Sequence, residues 1–108
     1  MRKQRVFSVE LKGKERFSRL LGDSLKQSGL RSGLVVLRPK ESIGEHKTDK
    51  KEEIIIIING SALVCYGRNK NIRAGRNSFV YIPPETKHNV KNPGRGILRY
   101  VYVTAKVA

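Results

Sequence analysis

The chain has 108 residues, with 23 Lys and Arg against 9 Asp and Glu and a formal net charge of +14. That length fits one domain with room for a core, and an apolar share of 38% with only 4 prolines argues against general disorder. The lone cysteine, Cys65, excludes an internal disulfide and a Cys-based zinc cluster and fits a reducing, cytoplasmic setting; the longest aliphatic run, Ile54–Ile58, is far too short to cross a bilayer.

The first segment mixes signals. Arg5–Glu10 fits a short strand. Lys14–Leu21 places Phe17, Leu20 and Leu21 at helical spacing, with Gly22 as a stop and Asp23–Gly29 as a loop. No apolar stretch follows the basic start, so no secretory leader is expected. Residues 1–33 are therefore expected to be a short helical or irregular segment packed on a β-rich body of residues 34–108.

From Ser32 onward the pattern is all-β. Strands are expected at Leu34–Leu37, Ser42–Thr48, Glu53–Ile58, Ser61–Tyr66, Asn71–Arg73, Phe79–Ile82, Thr86–Lys91 and Leu98–Thr104. Turn-forming residues separate them, including Asn59-Gly60, read as a hairpin turn, and Pro83-Pro84. Many short strands at close spacing indicate a sandwich or barrel. In Glu53–Ile58 one face carries Glu53, Ile55 and Ile57 and the other Ile54, Ile56 and Ile58. Both faces are apolar, so both are expected to be covered, one by the barrel interior and one by the N-terminal segment or a second subunit. A homodimer is the expectation. Cys65 reads as a small buried hydrophobe. Tyr66, Tyr81, Tyr100 and Tyr102 read as half-buried strand residues with hydroxyls toward solvent.

Chemistry can come from few places. His46 and His88 are the only histidines. His46 and Thr48 are two apart on one expected strand, so they share a face, and Glu53 begins the next. Two imidazoles and a carboxylate form a donor set that holds iron, manganese, zinc or nickel with open positions. Spacing alone does not bring them together.

The motif register does suggest it. His46-Lys47-Thr48, Glu53 and Gly60 follow Lys40, and Pro83-Pro84-Glu85, His88 and Asn92 follow Asn77. In this register, over roughly Leu34 to Thr104, the chain resembles the cupin family of small jelly-roll β-barrels. The resemblance implies one interior pocket in which His46, Glu53 and His88 hold a divalent metal ion. It also marks departures. Lys40, Asn77 and Glu85 stand where the family has Gly, so the local turns are expected to differ, because Lys and Glu tolerate positive φ poorly. Thr48 stands where a second histidine ligand would be and is a doubtful ligand. Glu52, the other nearby carboxylate, should face away if Glu53 faces in.

The resemblance spans dioxygenases, isomerases, epimerases, decarboxylases and sensors, and a fold does not choose among them. Three readings follow. The first is a metal-dependent cupin, of dioxygenase or isomerase type, whose Lys and Arg excess draws in a small anionic metabolite. The second is a metal-free ligand-binding or sensing module. The third, a nucleic-acid binder, has only charge in its favour, with basic residues spread from Arg2 to Lys106 and no helix-turn-helix, zinc-finger or RNP-type motif; nucleic acid and membrane are both set below a small-molecule ligand.

Overall fold

The computed structural model describes residues 5–21 and 29–107. The described chain forms β1 (Phe17–Arg19), β2 (Leu30–Leu37), β3 (His46–Lys47), β4 (Lys51–Asn59), β5 (Ser61–Tyr66), β6 (Lys70–Gly75), β7 (Phe79–Ile82), β8 (Lys87–Lys91) and β9 (Leu98–Lys106). Among the described residues there is no helix. The strands make two antiparallel sheets, β1-β2-β9-β4-β7 and β3-β8-β5-β6. The fold is the expected all-β jelly roll.

Strand alternation decides what lies between the sheets. In β4, Glu53, Ile55 and Ile57 are 6%, 0% and 1% exposed, whereas Ile54 and Ile56 on the opposite face are each 38% exposed. Ile55 and Ile57 join Val35, Leu37, Val64, Val90, Leu98 and Tyr100 in one buried cluster. The expected covering of both β4 faces is therefore met on the inner face only; within one chain Ile54 and Ile56 stay open.

Three local expectations are corrected. Lys14–Leu21 is not helical: Phe17 pairs with Val35 across β1 and β2, and its ring stacks on Tyr102 at 6.1 Å. Gly33 makes this contact possible, because a Cβ there would lie 2.7 Å from Tyr102 and 2.8 Å from Phe17. Packing between aromatic rings has overridden the helical spacing. Arg5–Glu10 forms no strand. Asn59-Gly60 is not a hairpin turn, since β4 and β5 belong to different sheets; it is a corner. Gly60 has φ 85°, and a Cβ would sit 2.5 Å from the Ile97 carbonyl oxygen. The hairpin in this region is β5–β6, closed by Gly67, Arg68 and Asn69. Gly22 and the loop through residue 28 lie outside the described residues.

The three replaced motif glycines give the opposite of the expected result. Lys40, Asn77 and Glu85 have φ of 69°, 68° and 56°. The turns keep their left-handed backbone, although Lys and Glu are strained in it. Asn92 shows why one of them is held. Its buried amide donates to the carbonyls of Leu37 (3.0 Å) and Gly96 (2.8 Å) and accepts from the Gly94 N–H (3.0 Å). The Lys40 N–H in turn donates to the Asn92 carbonyl at 2.9 Å.

Relief of that strain is measurable. Left-handed backbone costs a non-glycine residue about 1–2 kcal/mol, and the extra freedom of an unfolded glycine offsets about 0.4–1 kcal/mol of this. Lys40→Gly should therefore raise unfolding free energy by about 0.5–1 kcal/mol in urea melts. A loss of stability would show that the turn carries no strain.

Candidate metal centre

Pairing of the two-residue strand β3 with β8 sets His46 opposite His88, and their rings meet edge to face with centroids 4.1 Å apart. Glu53 comes from the other sheet, on the inner face of β4. The three side chains converge, each offering one ligand atom, and these atoms all lie within 4.8 Å of one another. Glu53 and His88 are 6% and 1% exposed, while His46 is exposed at the rim.

The nitrogen roles follow from the backbone. His88 Nδ1 lies 3.0 Å from the Thr86 carbonyl, and His46 Nδ1 lies 3.1 Å from that of Gly44. A carbonyl only accepts, so each Nδ1 carries the hydrogen and each neutral ring keeps its lone pair on Nε2. His88 Nε2 sits 3.2 Å from Glu53 Oε1 but forms no aligned hydrogen bond, and it is the buried side-chain polar atom left without a partner among the described residues. Two acceptors therefore face each other at buried atoms, an arrangement that calls for a cation between them: a proton or a metal ion. This donor set fits a divalent metal with open positions.

Thr48 does other work. Its hydroxyl donates to the Pro83 carbonyl (2.8 Å) and accepts from the Thr86 N–H (2.9 Å). It ties the end of β3 to the double-proline turn that leads into His88. Glu52 faces out, as expected, and accepts from the Tyr81 hydroxyl at 2.8 Å.

The centre opens into a cavity of about 500 Å³, within the range of small-molecule sites. Its wall includes Tyr100 and Tyr102, which strand pairing places on the same inner face as Glu53. Reading all four tyrosines as solvent-facing missed them; the signal was their odd–even phase with respect to β4. Burial first, and the Glu53 charge second, push both phenols above their ordinary pKa, so they remain hydrogen-bond donors. Cations also line the wall, namely Arg19, Arg31 and Lys51, against the carboxylates of Asp49 and Glu53. Cys65 lies away from this space, half-buried on the outer face of β5 rather than in the core.

Burial works against charge on His88, but the Glu53 carboxylate and the Thr86 carbonyl outweigh it, and its pKa is raised above its ordinary value. A raised folded pKa gives stability that is complete below about pH 6.5 and is lost as pH climbs through the folded value. With a chelator present, the melting temperature should fall between about pH 6 and pH 8. With added zinc or manganese the trend should flatten or reverse, because metal needs the unprotonated ring. Identical profiles with and without metal would contradict this account.

A family profile described as "Cupin domain" matches residues 33–104. No curated protein matches this chain. Among solved structures, a Bacillus halodurans protein superimposes with a TM-score of 0.81 at 23% identity, over 96% of this chain and 83% of that one. A predicted oxalate decarboxylase from Thermotoga maritima gives 0.76 at 21% identity, over 84% and 79%. A protein from Methanocaldococcus jannaschii, described as an RmlC-like cupin with a double-stranded β-helix fold, gives 0.77 at 19% identity, over 95% and 91%. At these identities the likeness is one of fold.

Proposed function

Because this chain belongs to the cupin domain family, we propose that it is a small metal-binding cupin whose His46, Glu53 and His88 hold one divalent ion beside a cavity for a small anionic metabolite. The unpartnered Nε2 of buried His88, facing the Glu53 carboxylate, carries this reading. With three protein ligands, an ion there would keep open positions for a guest. A bound ion there would supply Lewis acidity or a more acidic water. The residues around it divide the remaining tasks. The Thr86 and Gly44 carbonyls fix the two imidazole tautomers. Tyr100 and Tyr102 present phenol groups to a ligand. Cationic side chains on the wall, Lys51 among them, favour a carboxylate or phosphate guest.

Elemental analysis of protein purified without added metal tests this directly. Wild type should approach one ion per chain, and His46→Ala/His88→Ala should lose it. Thr48→Val should lower stability by about 1–3 kcal/mol, through two lost hydrogen bonds, yet keep the ion. Equal and low metal in wild type and the double variant would favour the metal-free ligand-binding reading. Melting temperatures with dicarboxylates and sugar phosphates would then report that ligand.

We also propose that a second copy of the chain covers the outer face of β4 and β7. Ile54 pairs with Tyr81 and Ile56 with Phe79, so four exposed apolar side chains form one contiguous patch beside the free edge of β7. The patch is uncharged and can meet its own copy about a two-fold axis. Ile56→Lys should convert a dimer to a monomer in sedimentation analysis with metal content unchanged; a wild-type monomer at all concentrations would refute the dimer.

A further inference from the structure

The two sheets turn very different outer faces to solvent. On β4 and β7 that face is apolar, as described above. On the smaller sheet it is cationic, and strand phase shows why. Ala62, Val64 and His88 point inward and are buried. The alternate residues therefore point outward. Leu63 pairs with Arg73 on one side and Lys91 on the other, while Lys87 pairs with Lys47. All four cations are exposed. Between the two rows lie Asn71, Cys65 and Asn89.

Few acids answer these charges. From Ile54 to Pro84 the chain has four cations, Arg68, Lys70, Arg73 and Arg76, and no Asp or Glu; Glu85 is the only acid in the whole second half. Lys87 meets Glu45 and Lys47 meets Glu85, each at 3.9 Å and well exposed, pairs that contribute little. Among the described residues Arg73 and Lys91 have no acidic partner. Sheet geometry puts them roughly 10 Å apart across β8-β5-β6, and Lys87 about 13 Å from Lys91 along β8.

We propose that this face of β3-β8-β5-β6 binds the phosphate backbone of duplex nucleic acid without reading its sequence. Charge complementarity selects a polyanion. The face has no exposed aromatic ring among its outward strand residues, so it lacks the stacking platform that single strands use. Leu63 is its one large apolar side chain among the outward strand residues, half-buried between Arg73 and Lys91, too little apolar surface to anchor in a bilayer or to form the apolar centre of a protein interface. What it offers is cations interleaved with amide side chains, the groups that contact phosphate and sugar. This surface lies on the opposite side of the sheet from the buried His88, so its role does not depend on the metal reading.

Fluorescence anisotropy with a labelled 20-bp DNA duplex tests the proposal. Wild type should bind at about 50 mM salt and release steeply as salt rises. Arg73→Gln/Lys87→Gln/Lys91→Gln should bind at least tenfold more weakly and lower the slope of log K against log salt by about 2–3. Arg5→Gln/Lys12→Gln/Lys14→Gln removes the same formal charge elsewhere and should change affinity less than threefold. Metal content and melting temperature should match wild type in both variants. Equal losses in the two variants, no binding by wild type, or tighter binding to phosphatidylserine vesicles than to the duplex would each overturn it.

Discussion

Glu53 carries a carboxylate into a barrel interior otherwise filled by Ile55, Ile57, Val80 and Ile82. A buried carboxylate is costly unless something positive stands beside it. Here the neighbour is His88, whose own hydrogen is already committed to the Thr86 carbonyl. The cation requirement at the centre of the fold is thus created by two backbone-directed choices. The phase of β4 turns Glu53 inward, and the carbonyl of Thr86 turns the His88 lone pair toward it. The wider cavity is arranged around that pair, with phenols on β9 and cations on the wall.

Several residues that look chemical by position are mechanical in fact. Thr48 joins β3 to the turn before His88. Asn92 fastens the loop ahead of β9 to the end of β2. Gly60 lets the corner between the sheets pass close to Ile97. These contacts hold together the segments from which the ligand atoms project. In a site whose ligands come from strands in different sheets, small shifts of a loop would alter every distance, so such fastenings bear on chemistry while touching none of it.

The barrel was legible in the sequence because it depends on short-range patterns, and the convergence of His46, Glu53 and His88 through the resemblance that the motif register carries. Period-two alternation marks Glu53 as inward beside two buried isoleucines, and the motif register carries the rest. What could not be read depends on contacts between distant residues. Phe17 belongs to a strand because Gly33 leaves room for its ring on Tyr102. Asn59-Gly60 turns a corner rather than a hairpin because β4 and β5 part company. Lys40 and Glu85 hold a glycine's backbone against their own preference because the surrounding hydrogen bonds demand it. Tyr100 and the sorted outer faces became visible only once registers were known.

The ligand atoms differ in how firmly they are held. Glu53 and His88 sit on strands within the buried body, whereas His46 rides on β3, two residues long and paired on one side only. Fraying of so short an edge strand needs far less free energy than opening the barrel. Any ion held between them would thus leave through a local event, with His46 letting go first. Its residence time would be set by how long β3 and its Thr48 fastening hold, and a very stable barrel could still exchange its ion faster than it unfolds.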